Sequence, residues 1–276
     1  KPVVIAVALI KGGTGKSTTA CEIGIQLQLA GMRVLLCDLD IQSNLSQIMG
    51  YESDLGLDEA QLFGLSNEAI VTGTFATICS PLLERKARPV DARSVLKFPF
   101  GPSGPALIPS DTFFGDLENL ITMSTGPREL VFQRFFGESI AGRVLGLNVS
   151  DYDVVILDCA PNVSFVATNA IASADLIVAP VKMDSFSVKG LSRLVSEINL
   201  LTESYPSSVT NPQLVIIPTF YSTNLPRVSR MQGKLAKYRD FTSPYSISQS
   251  EEFPKSIEKY LPLTLLKPMC TPVKEY

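Results

Sequence analysis

Eight residues near the start of the chain, Lys11-Gly12-Gly13-Thr14-Gly15-Lys16-Ser17-Thr18, follow an unbroken apolar run from Val3 to Ile10. A buried strand feeding a glycine-rich turn and then a helix start restricts the fold more tightly than any other stretch. Glycine lets backbone N–H groups crowd around an anion at the positive end of a helix, so such a turn is a phosphate cradle. The general pattern is G-x-x-x-x-G-K-[ST]. Gly15, Lys16 and Ser17 satisfy its second half, whereas Ile10 occupies the position of its first glycine and a second lysine, Lys11, opens the loop. In such a cradle Lys16 reaches the β- and γ-phosphates of a nucleotide, and the Ser17 hydroxyl coordinates Mg²⁺.

The chain beyond the loop repeats one pattern. Ser17 to Ala30 is apolar at helical spacing and closes at Gly31, and Arg33 to Leu39 is a second apolar run that delivers Asp38 and Asp40 at its end. Strand, helix, strand implies a right-handed crossover and a parallel sheet, with ligands at the carboxyl ends of the strands. Residues 41–105 are broken by glycines and prolines into short helices and loops. Further strands are expected at Ala106–Pro109, Val154–Asp158, Asp175–Val181 and Leu214–Pro218, with helices over about 112–121, 127–146, 162–172 and 187–203. The fold class is therefore α/β, a doubly wound, mostly parallel sheet flanked by helices, and residues 1–276 are expected to form a single domain.

Composition narrows the chemistry. There is no histidine, which removes the usual general base and the commonest metal ligand, so catalysis must run on carboxylates, lysines and a metal. The net charge of −3 gives no global basic character, and any nucleic-acid contact must come from a local patch. The five cysteines form no C-x-x-C pair and read as small buried hydrophobes in a reducing cytosol. No apolar stretch approaches the ~20 residues of a membrane span, and the expectation is a cytoplasmic protein.

One local patch stands out. Arg227 to Arg239 holds five cations and no acid; Arg227, Arg230, Lys234 and Lys237 fall on one stripe of a helix, beside an apolar stripe of Val228, Met231, Leu235 and Tyr238. The spacing predicts an amphipathic helix docked on the sheet with a row of cations beside its buried face. Arg85, Lys86 and Arg88 make a smaller cluster, extended by Arg93 and Lys97.

The loop with its extra lysine resembles the deviant Walker A motif of the ParA/MinD family. Leu36-Cys37-Asp38-Leu39-Asp40-Ile41-Gln42-Ser43-Asn44-Leu45 is similar to that family's D-x-D-P-Q-x-N segment, with Ile41 for the proline, and Val155-Ile156-Leu157-Asp158-Cys159-Ala160-Pro161 to its Walker B strand. Ile217-Pro218-Thr219-Phe220-Tyr221-Ser222 falls where the family has its adenine-side loop, with Ser222 at a commonly acidic position. The likeness covers about residues 3–240 and is weak beyond. It implies an ATPase using ATP and Mg²⁺. The nucleotide would lie on residues 11–18 (Lys11, Gly12, Gly13, Thr14, Gly15, Lys16, Ser17, Thr18) and on Thr219 and Phe220. Lys11 would cross a dimer interface to the partner's phosphates. Asp40 would orient the attacking water, Asp158 would hold Mg²⁺ through water, and Asp38 would support the magnesium shell.

The function so implied is an ATP-dependent positioning switch. ATP closes a homodimer, the dimer binds DNA non-specifically through Arg227, Arg230, Lys234 and Lys237, and a ParB-like or cargo-adaptor partner stimulates slow hydrolysis that releases it. Such a protein is nucleoid-associated when ATP-bound. The alternative is a MinD-like, membrane-associated switch; the two prolines within Lys267–Tyr276 speak against the C-terminal amphipathic helix it needs. An iron–sulfur ATPase and a small-molecule ligase of the same fold are disfavoured by the cysteine contexts and by Lys11.

Overall fold

The computed structural model describes the chain apart from residues 53–68, 85–89, 210, 222–232 and 234 and the side chains of Phe113 and Tyr221. The apolar runs become β1 (Val3–Val7), β2 (Val34–Leu39), β4 (Ala106–Ile108), β6 (Val154–Cys159), β7 (Leu176–Lys182) and β8 (Gln213–Tyr221). With β9 (Ile247–Ser248) they build a seven-stranded sheet in the order β4-β2-β6-β1-β7-β8-β9, every pairing parallel. A short parallel pair, β3 (Val90–Asp91) and β5 (Val144–Leu145), stands apart.

Both faces of the sheet are covered, which is why its strands are apolar throughout instead of alternating with polar residues. On one face Ile5, Val7, Leu36 and Ile156 pack against Ala20, Cys21 and Ile25 of α1 (Lys16–Leu29), with Leu45 and Ile48 of α2 (Asn44–Ile48). On the other, Val4, Ala6, Leu35, Cys37, Val155 and Leu157 meet α3 (Phe75–Leu83), α4 (Asp116–Met123), α5 (Val131–Ile140), α6 (Phe165–Ser173) and α7 (Ser185–Ser204). There Phe75 packs on Phe132 and Phe135 at ring-centroid distances of 4.7 and 5.1 Å, a geometry that adds to the area buried.

α7 crosses the chain where the glycine loop begins, and Gly190 makes that crossing possible. A β-carbon there would stand 2.7 Å from the Ile10 carbonyl oxygen, a backbone atom that cannot rotate aside. Gly190→Ala should therefore destabilise the protein by about 1–3 kcal/mol, the usual effect of overpacking, seen as a lower urea midpoint with unchanged slope.

Several local expectations are corrected. The helix expected over 127–146 is a 3₁₀ turn at Arg128–Leu130 followed by α5, and it ends at Ile140 because Val144 and Leu145 are drawn into pairing with Val90 and Asp91. β1 stops at Val7; Ala8 and Leu9 stay buried, and the Ala8 N–H donates to the Val178 carbonyl, 3.0 Å. Of the cationic stripe, Arg227, Arg230 and Lys234 lie outside the described residues, as do Arg85, Lys86 and Arg88. The described end of that segment, Ala236–Phe241, is a 3₁₀ segment and not a continued α-helix. Leu235 and Tyr238 are buried, as the apolar stripe required, while Lys237 is exposed with its ammonium 4.6 Å above the Tyr238 ring.

The last elements are α8 (Glu252–Glu258), α9 (Leu263–Leu266) and α10 (Thr271–Glu275). α10 forms despite the prolines because Pro272 sits in its first turn, where no amide hydrogen is required. It buries Pro272 and Val273 against the molecule. Among the described residues no helix is long and apolar enough to cross a membrane. Cys21, Cys37, Cys79 and Cys159 are buried thiols and Cys270 is half-buried.

Candidate functional site

The sheet order brings the predicted residues together. β6 lies between β1 and β2, so Asp158 pairs in register with Val7 on one side and Asp38 on the other, at the edge where the glycine loop leaves β1. In register on neighbouring parallel strands, Asp38 and Asp158 share a face at the ~5 Å strand spacing. A cleft of about 310 Å³ opens above them, lined by Gly12, Gly13, Thr14, Gly15, Lys16, Ser17 and Thr18, by Asp40, Gln42 and Asn44, and by Pro161 and Ile257.

The loop takes the shape its glycines permit. Gly13 and Gly15 have φ of +68° and +87°, and no atom stands within 4 Å of where a β-carbon of Gly12 or Gly13 would be. Positive φ is open to glycine without steric penalty, and the empty space beside the backbone is what an anion needs. α1 starts at Lys16 with no side-chain cap on its first amides, so those donors and the helix dipole face the cleft. Thr219 closes the loop from β8, its hydroxyl donating to the Thr14 carbonyl at 2.9 Å. Phe220 follows with φ +50° and a ring edge 3.6 Å from the β-carbon position of Gly15.

The two lysines face different ways. Lys16 is buried and its ammonium donates to the Lys11 carbonyl, 2.9 Å. Burial lowers its pKa, against the raising pull of Asp158 and Asp40. Lys11 is absent from the cleft wall; its ammonium rests 5.5 Å from the ring centroid of Phe186, a side chain 69% exposed. The Lys11 ammonium thus lies against Phe186, and Lys11 is not among the residues that line the cleft.

The three aspartates divide the work. Asp38 is fully buried with both carboxylate oxygens occupied: one accepts from the Asp40 N–H at 3.1 Å, the other from the Ser46 N–H at 2.8 Å and hydroxyl at 2.7 Å. These bonds make Asp38 a brace for the loop after β2. Burial raises its pKa to about 6 against the hydrogen bonds that favour its charge. Asp40 caps the Gln42 N–H at 3.0 Å and also lines the cleft, so the turn-capping role and a role in the cleft coexist. Asp158 is fully buried, and among the described residues no donor meets hydrogen-bond geometry to either oxygen, the Ser17 hydroxyl being its polar neighbour. Burial, and then the Asp38 carboxylate, push its pKa well up, while the adjacent Ser17 hydroxyl and Lys16 ammonium oppose the shift. A buried carboxylate without partners is costly. A divalent cation held by these oxygen donors would relieve that cost, and donors of this kind suit Mg²⁺.

Some participants were not singled out from sequence. Gln42, Asn44 and Pro161 line the cleft, and their signal was their place in the two motif segments. Phe186 had none; only the path of α7 puts it beside Lys11.

The comparisons agree with this geometry. A family profile described as an AAA domain matches residues 3–216. The chromosome partitioning protein ParA of Caulobacter vibrioides is 30% identical over 213 residues, 77% of this chain and 66% of that protein. The sporulation initiation inhibitor protein Soj of Bacillus subtilis is 28% identical over 198 residues, 72% of this chain and 65% of that protein. The matched region thus spans just under two thirds of those relatives. In three dimensions, apo McdA of Cyanothece superposes with a TM-score of 0.75 at 19% identity, covering 100% of this chain and 98% of that one. An ATP complex of a McdA variant gives 0.73, again at 19% identity, over 96% and 90%. The structural likeness speaks for the fold, and the sequence matches speak for the lineage: the chain belongs to the ParA/MinD family of P-loop ATPases.

Proposed function

We propose that this chain is an ATP-hydrolysing positioning switch whose ATP-bound form is a homodimer that holds DNA without sequence preference. The observation that carries the reading is Lys11, whose ammonium lies on Phe186 apart from the residues lining the cleft, while Lys16 is buried and lines it. A lysine so placed is available to the phosphates of a second copy laid across the opening. Ile41, between the cleft residues Asp40 and Gln42, Val163, two residues past the cleft residue Pro161, and Phe186 beneath Lys11 are exposed apolar side chains, 46%, 63% and 69% accessible, and suit a face that becomes covered.

Within one copy, the amides of residues 12–18 and Lys16 hold the phosphates, and Thr219 and Phe220 bound the nucleoside side. Ser17 and, through water, Asp158 hold Mg²⁺, which when bound neutralises charge developing on the phosphoryl oxygens. Asp40, kept in place by the Asp38 brace, orients water toward the terminal phosphate. Phosphoryl transfer asks for positioning and charge stabilisation above all, so the lack of histidine is no obstacle. Asp38 contributes to the magnesium shell through its brace. DNA contact is assigned to Arg227, Arg230, Lys234 and the exposed Lys237, and release to a ParB-like or cargo-adaptor protein that speeds hydrolysis. The inward packing of Pro272 and Val273 supports DNA over a membrane surface as the platform.

A DNA-retention assay with ATP, ADP and no nucleotide tests the reading. Retention should require ATP, and a dimer that neutralises about six phosphates should lose roughly 10³-fold in affinity between about 50 and 200 mM salt. Equal retention with ATP and ADP, or indifference to salt, would refute it.

A further inference from the structure

The loop that carries Asp40 is held from the edge of the sheet. β4 is the outermost strand beside β2, pairing Ala106 with Leu35, Leu107 with Leu36 and Ile108 with Cys37. Its other side is closed by Lys97, whose backbone N–H and carbonyl exchange hydrogen bonds with Leu107 at 2.8 and 2.9 Å. Two residues past β4, the buried Ser110 turns its N–H onto the Ser46 hydroxyl, 3.0 Å away. Ser46, in α2, is itself fully buried and reaches one oxygen of Asp38 with both its hydroxyl, 2.7 Å, and its N–H, 2.8 Å.

The direction of this chain of bonds is set by its first member. An amide N–H can only donate, so the Ser46 hydroxyl accepts from Ser110 and commits its single proton to Asp38. Bonds in series polarise one another in a dry interior. Asp38 passes the constraint on, its other oxygen holding the Asp40 N–H at 3.1 Å. Past that amide, the Asp40 carbonyl accepts from the Ser43 N–H at 2.9 Å and the Asp40 carboxylate from the Gln42 N–H at 3.0 Å. Ser43 sits at φ +53°, a left-handed conformation that non-glycine residues seldom take. Such a conformation persists where the surrounding bonds impose it.

We propose that Ser46 is a positioning residue for ATP hydrolysis, its hydroxyl, fixed by the Ser110 amide, transmitting the placement of β4 to the Asp40 carboxylate. The proposal rests on the reading of Asp40 as the group that orients water. Ser46 is not among the residues that line the cleft, so it acts through Asp38 and Asp40. Without the hydroxyl, Asp38 loses a donor and the buried Ser110 N–H loses its acceptor. The loop after β2 is then untied from β4 at this point, and an error of about 1 Å in the place of a catalytic group can cost roughly 10²-fold in rate.

Single-turnover hydrolysis and ATP affinity, measured on wild type, Ser46→Ala, Asp40→Ala and the double variant, test the proposal. Ser46→Ala should slow hydrolysis by about 10–100-fold and leave ATP affinity within a few-fold. In the Asp40→Ala background it should cause no further loss, because the carboxylate it places is gone. Ser46→Thr, which keeps the hydroxyl, should restore the rate even where its extra methyl lowers the urea midpoint. Normal hydrolysis by Ser46→Ala beside an impaired Asp40→Ala would overturn the proposal alone. So would losses that multiply in the double variant, ATP affinity falling in step with rate, or a Thr variant that binds ATP yet stays slow. Normal hydrolysis by Asp40→Ala would overturn the water-orienting reading and this proposal with it.

Discussion

Asp40→Ala should lower ATP turnover by roughly 10²–10⁴-fold, the range by which a positioned acid–base group accelerates a reaction, while ATP affinity stays within a few-fold of wild type. Asp40 lines the cleft and contributes one cap, to the Gln42 N–H, whereas the brace that shapes the loop belongs to Asp38. Removing the Asp40 carboxylate thus takes away a group lining the cleft without unpicking the fold. Because release is assigned to hydrolysis, the variant should also remain bound to DNA with ATP. Single-turnover hydrolysis of radiolabelled ATP checks the first expectation, and DNA retention over time the second. Normal turnover would move the water-orienting role elsewhere in the cleft.

Lys11→Ala should separate nucleotide binding from dimerisation. The Lys11 carbonyl, which anchors the Lys16 ammonium, is backbone and survives the substitution; the lost ammonium rests on the exposed ring of Phe186. ATP affinity of the monomer should change little. In the dimer two such lysines are removed, and a hydrogen bond to a charged group contributes about 1.5–3 kcal/mol. ATP-dependent association should therefore weaken by at least about 100-fold. Light scattering with ATP and Mg²⁺ reads this directly, and persistent dimers would refute the trans role. In Gly190→Ala the loop carrying Lys11 is displaced as well as the protein destabilised, so that variant should resemble a mild form of this one.

The legible part of the site is local in sequence. Asp158 follows directly on an apolar run, Asp40 stands three residues past one and Lys16 and Ser17 one glycine loop past another, and an apolar run of this length in this setting is a strand buried on both faces. Strand ends of a parallel sheet share one edge, so residues at those ends converge whatever the loops between them do. What misled the reading was also local: the helical spacing over 127–146 is real, but strand pairing of Val144 and Leu145 with residues more than 50 positions earlier prevails over it.

By itself the sequence determined the phosphate loop, the order of the six longer apolar strands, the three carboxylates at strand ends and the second lysine, because each depends on residues adjacent in the chain. Tertiary structure decided the rest. Asp38 became a brace because Ser46 folds back to occupy its second oxygen. The Lys11 ammonium lies against Phe186 because α7 passes over Ile10 at a glycine and brings that ring alongside. Residues 247–276 acquired a place beside the nucleotide site because a buried Glu22 needs partners and finds them 241 and 242 positions away. Contacts of that range leave no periodicity to read. They arise only when the sheet has formed and a charge left in its shadow must be satisfied.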